Sequence, residues 1–196
     1  LTYWPEAIRA LMMCGADEDV DGTRLDLMDT IDDEDGAGEL NIRLSLRVAE
    51  SINKVSPNNV SRSRGHDYAT VESSSCSGGG SVCRQYFAHS TAPNQRLRVV
   101  LTWDGTATCL NPNDYATCTT QLDGDFELRV DQRLLGSSAP WTAWKWSFST
   151  TNSYEFVEFA ADPTSEYRIQ IMNSVWASGT TSTYMAITWN FDDYFL

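Results

Sequence analysis

YRIQIM at 167–172 and YMAITWNF at 184–191 alternate inward and outward residues along their length, the period-2 pattern of half-buried strands. Working outward, LRVVLTW (97–103) and EFVEFAA (155–161) are apolar enough for core strands. Further runs rich in Val, Ile, Tyr, Phe, Trp and Thr, separated by Gly, Asn, Pro and Ser, complete the set. Strands are expected near 66–72, 82–90, 95–104, 125–130, 143–149, 153–160, 166–173 and 182–191. About eight antiparallel strands with no intervening helix predict a mainly β fold, an antiparallel β-sandwich of jelly-roll type. No solenoid-length repeat is present.

The N-terminal part differs. TYWPEAIRALMMCGA (2–16) reads as a helix, with Pro5 in the first turn, Trp4, Ile8, Leu11 and Met12 at helical spacing, and Gly15 closing the run. ELNIRLSLRVAESIN (39–53) fits two periods. Ile42, Leu44, Leu46 and Val48 alternate as in a strand, whereas Leu40, Leu44, Val48 and Ile52 keep helical spacing with Asn41 as a cap. VSPNNVSRSRG (55–65) is a polar connector, which divides the chain into 1–54 and 55–196.

The net charge of −13 is local. Residues 17–39 hold eleven acidic side chains against Arg24, so −10 falls there and −3 on the remainder. Phosphate binding needs clustered Lys and Arg, which makes nucleic acid a poor partner and cations better ones. No apolar run approaches the ~20 residues of a membrane-spanning helix. Within the acidic stretch, Asp17, Asp19 and Asp21 occupy alternate positions before Gly22, a spacing that can wrap one Ca²⁺. Met28 stands where the bidentate Glu of a full calcium loop belongs, so Asp26, Asp29 or a water would have to complete it; the alternative is a solvated acidic loop. Cys14 sits among apolar residues and reads as a buried thiol. Cys76 with Cys83, and Cys109 with Cys118, lie in loop-like segments without zinc spacing. Two short-loop disulfides and an oxidising, extracellular compartment are the simplest reading, four free thiols the alternative.

Two segments resemble the end of the catalytic domain of subtilisin-like serine proteases. WPEAIRALMMCGA (4–16) is similar to a late helix of that domain, and DGAGELNIRLSLRVA (35–49) to its closing segment, which favours a helix over 41–52. In the β part, RLRVVLTWDG (96–105), DGDFELRV (123–130), NSYEFVEF (152–159) and YRIQI (167–171) resemble, in the same order, strands of the sandwich appended to many secreted subtilases. The resemblance implies the C-terminal part of a secreted endopeptidase acting on protein or peptide substrates through an acyl-enzyme, its partner being the N-terminal catalytic domain. The family's Gly-Thr-Ser-x-Ala nucleophile element lies upstream of the helix matched by 4–16 and does not occur here, so no catalytic residue is carried over. The family's Asp-Leu-Asp-Leu is altered to Asp125-Phe126-Glu127-Leu128.

Residue chemistry adds little catalysis. His66 and Asp67 are adjacent on a strand and are expected on opposite faces, which does not suit a triad. In PWTAWKW (140–146), Trp144 and Trp146 are expected to share one strand face, as a stacking platform for a sugar or peptide, or else as core or interface. The platform would suit a non-catalytic carbohydrate-binding or adhesion module, the second functional expectation.

Overall fold

The computed structural model describes residues 5–16, 41–50, 55–59, 63–76, 80–111, 118–150 and 152–193. Two helices, α1 (Pro5–Cys14) and α2 (Ile42–Glu50), precede ten strands. These are β1 (Arg64–Glu72), β2 (Ser81–His89), β3 (Gln95–Trp103), β4 (Gly105–Cys109), β5 (Cys118–Leu122), β6 (Gly124–Leu134), β7 (Thr142–Ser147), β8 (Tyr154–Ala160), β9 (Ser165–Trp176) and β10 (Ser182–Asp193). Sheet I has the order β1-β10-β3-β8 and sheet II the order β2-β9-β6-β7, with every neighbouring pair antiparallel. That order is the wrapped double Greek key of a jelly roll. The expected sandwich is formed. β4 and β5 add a separate hairpin where the sequence reads as loop.

The core lies between the sheets. Val99, Leu101, Trp103, Ile187 and Trp189 from sheet I meet Phe126, Leu128, Val130, Ile169 and Ile171 from sheet II. Tyr86 and Asp67 bring polar groups into the core as a bonded pair. The Tyr86 hydroxyl donates to Asp67 Oδ2 at 2.6 Å, and Arg84 Nη1 donates to the same oxygen at 2.9 Å, joining β1 to β2. Burial, with the Asp67 carboxylate, pushes the Tyr86 phenol up.

Sheet I is covered on its outer face as well. Ala7, Ala10, Leu11 and Cys14 recur at i, i+3, i+4 and i+7 of α1, and pack with Val48 of α2 on Val100, Phe156 and Ala186. Small residues along this stripe bring the helix close to the sheet. The buried hydroxyls of Thr102 and Thr188 donate to the carbonyls of Glu6 (2.8 Å) and Ala10 (2.9 Å). Arg98, paired with Glu158, reaches the carbonyl of Ala16. Helices α1 and α2 thus rest on the outer face of sheet I. Asn41 caps α2, its Oδ1 accepting from Leu44 N at 2.9 Å, as the helical reading required. Among the described residues no helix is long and apolar enough to cross a membrane.

Candidate functional site

The outer face of sheet II is where exposed aromatic and ionic chemistry is concentrated. On β6, Phe126, Leu128 and Val130 point inward, so Arg129, Asp131 and Arg133 point outward. On β9 the inward Tyr167 and Ile169 likewise leave Arg168 outside. Register places Arg168 opposite Asp131 on one side and Phe87 of β2 on the other.

Asp131 is fully buried although it faces outward, because guanidiniums cover it. Arg129 Nε donates to Oδ1 at 2.6 Å, while Arg168 donates to Oδ2 from Nε (3.0 Å) and Nη2 (2.5 Å). One rung further, Arg133 Nε pairs with Glu166 Oε1 at 2.6 Å. Aromatic rings lie over these cations. Arg129 is 5.4 Å from the centroid of the Trp146 ring, and Trp141 takes Arg133 at 4.2 Å and Arg168 at 5.1 Å. Trp141 also tilts against Phe87 at 5.8 Å.

The position of Trp144 corrects the sequence expectation. Regular alternation would set it beside Trp146. The β6–β7 ladder instead shifts register: Val130 faces Lys145 and Asp131 faces Ala143, which makes Trp144 the extra residue of a bulge. Trp146 then lies on Arg129 outside, whereas Trp144 packs edge-on at 6.3 Å on Phe159, a residue of the sandwich core. Each is half exposed, at 50 %, but the two rings have partners on different sides of the sheet. The ring that shares the outer face with Trp146 is Trp141.

Asp131→Ala is expected to destabilise the sandwich by about 2 kcal/mol. Breaking a buried ion pair costs about 3–5 kcal/mol, but the guanidiniums left behind are 24 % and 27 % exposed and regain water. Arg129→Ala alone should cost less than about 1 kcal/mol. Urea midpoints at unchanged m check both, and equal midpoints for Asp131→Ala and the native chain would remove the ladder's structural role.

The remaining sequence candidates are distributed elsewhere. Cys76 and Cys83 form a disulfide with Cα atoms 4.7 Å apart, closing the turn from β1 into β2. Backbone register sets Cys109 directly opposite Cys118 in the β4–β5 hairpin. Cys14 is free and buried against sheet I, burial pushing its thiol up to about 12. His66 stacks beside Tyr68 while Asp67 turns inward to Tyr86, so the two occupy opposite faces of β1. Asp17, Asp19 and Asp21 lie outside the described residues. Among the described residues, no group of three or more His, Cys, Asp or Glu side chains is placed to hold a metal ion.

No family model matches the chain, and no curated protein does. Its fold has likenesses among solved structures. A protein from Sulfurospirillum deleyianum is 8% identical with a TM-score of 0.37, over 65% of this chain and 98% of that one. The core of Drosophila NLP, studied for pentamer formation and histone binding, is 10% identical with a TM-score of 0.27, over 66% and 98%. The insecticidal delta-endotoxin Cry8Ea1 of Bacillus thuringiensis is 11% identical with a TM-score of 0.30, over 65% and 24%. Likenesses this distant carry no argument about what the chain does.

Proposed function

We propose that this chain is the closing part of a secreted, subtilisin-like serine endopeptidase. Its helices belong to the catalytic body, and its jelly roll is an accessory domain that braces that body or helps position a protein substrate. The triad lies in the N-terminal catalytic domain, this chain's partner in the parent protein. The observation that supports this reading is that both helices are apolar on two sides. α1 buries Ala7, Ala10, Leu11 and Cys14 on sheet I, yet exposes Ile8 and Met12; α2 buries Val48 yet exposes Ile42 and Leu46. Pro5, Ile8, Met12 and Met13, together with Arg9, line a depression of about 430 Å³ beside α1. A helix at a finished surface is polar on its solvent side, whereas a layer between two bodies is apolar on both.

The test uses the protein as its source secretes it. A fluorophosphonate that acylates active-site serines is expected to label a polypeptide also recognised by antibody raised against residues 55–196. Recognition confined to an unlabelled species would remove the protease reading. In the parent protein, Ile8→Glu with Met12→Glu should shorten the half-life of activity at elevated temperature. In the isolated 196-residue chain the same pair should leave stability within about 0.5 kcal/mol, as exposed substitutions do.

A further inference from the structure

We propose that the outer face of sheet II binds a carbohydrate chain, the indoles of Trp141 and Trp146 stacking on its pyranose rings. This goes beyond the protease reading and does not depend on it. Three features support it. The face is open among the described residues, because both helices pack on sheet I. Trp141 and Trp146 both lie on it, separated by the rung that carries exposed Ala143 opposite buried Asp131. Five residues of extended chain put them at most about 17 Å apart, the scale of an oligosaccharide rather than a single sugar.

The third feature is chemical. Each ring lies over guanidinium groups already fixed by carboxylates, so its orientation is set before any ligand arrives. A guanidinium carries five donors, and the ion pairs of Arg129 and Arg133 use Nε. Donors therefore remain beside each ring for the hydroxyls of a stacked sugar. Apolar ring faces flanked by a few fixed polar groups are how sites select a ligand that is apolar on one face and polar at its rim.

Other occupants fit less well. Three Arg against Asp131 and Glu166 leave a local charge near +1 in a chain of −13, too little for nucleic acid. Proline-rich peptides dock in grooves walled by aromatics, whereas these rings lie side by side on one sheet face.

The experiment is native electrophoresis of the 196-residue chain through gels containing hydroxyethyl cellulose, xylan, glycogen or glycol chitin, with a poly-L-proline gel alongside. Retardation by at least one polysaccharide is expected. Trp146→Ala should weaken it about tenfold or more, and Trp144→Ala, whose ring packs on Phe159, should leave it within twofold. Far-UV melting curves confirm that each variant is folded; if Trp146→Ala fails to fold, Trp146→Gln takes its place. No retardation in any polysaccharide gel, retardation by poly-L-proline alone, or undiminished retardation of the folded Trp146 variant would each overturn the proposal.

Discussion

Trp189→Ala is expected to cost about 3–5 kcal/mol, a large share of the roughly 5–15 kcal/mol that separates folded from unfolded domains. The indole is fully buried on the inner side of β10, tilted at 5.3 Å against Tyr86 of the opposite sheet. Its space is created by Gly65 on β1, its direct cross-strand partner. A Cβ on Gly65 would stand 2.1 Å from Cζ2 of the ring, so glycine is required there for room rather than for an unusual backbone angle. Two consequences separate this packing from generic hydrophobicity. Gly65→Val should destabilise as severely as removing the indole, because β1 must move off β10 or the ring must leave the core. Trp189→Phe should cost distinctly less than Trp189→Ala. Urea unfolding at constant m gives all three values; a Trp189→Ala loss below about 1 kcal/mol would show that the sheets collapse to fill the gap.

The same strands explain what could be read in advance. Every residue from Leu97 to Trp103 on β3 is buried, and five of the seven are apolar, which is how a strand covered on both faces looks in sequence. The stretch reads as core, and burial on both faces also implies a layer lying on the outer side of sheet I. α1 is that layer. The β4–β5 hairpin escaped because GTATC and CTTQL are short and flanked by Gly, Asn and Pro, so turn chemistry masked the pairing.

The ladder on sheet II carried a signal too. Arg129, Asp131 and Arg133 alternate in the sequence, which places all three on one face. Nothing in the sequence marks the bulge at Trp144, since a one-residue register shift is settled by the partner strand and leaves the local composition unchanged. Alternation alone therefore sets Trp144 beside Trp146, whereas the bulge makes Trp141 the matching ring. The acidic loop illustrates a different limit: spacing alone offers a cation the carboxylates of Asp17, Asp19 and Asp21, but only a folded loop brings them to one point.

Glu155→Gln should remove a pH dependence built into the junction of the two sheets. Glu155, 2 % exposed on β8, accepts a hydrogen bond at Oε2 from Ser147 Oγ of β7, and its Oε1 is buried without a partner. Burial raises its pKa to about 7; the Ser147 bond and a backbone bond from Ser149 pull it down, while the carboxylates of Asp125 and Glu127 push it up again. An unfolded Glu titrates near 4.3. Between these values the native chain holds a proton that the unfolded chain has lost, so stability falls as pH rises. The contribution is complete below about pH 4.3 and gone above about pH 7, a loss of about 4 kcal/mol over the interval. Asp125 and Asp192, also raised by burial, slope the same way, so the native curve alone would not single out Glu155. The difference between the native and Glu155→Gln melting curves does: near zero at pH 4.5, and rising to favour the amide at pH 8. Parallel curves would mean that the carboxyl is hydrated and titrates normally. Because Ser147 adjoins Trp146, amide exchange along β7 at pH 8, corrected for its intrinsic rate, should also slow in the Gln variant, since only the neutral side chain holds that edge without burying a charge.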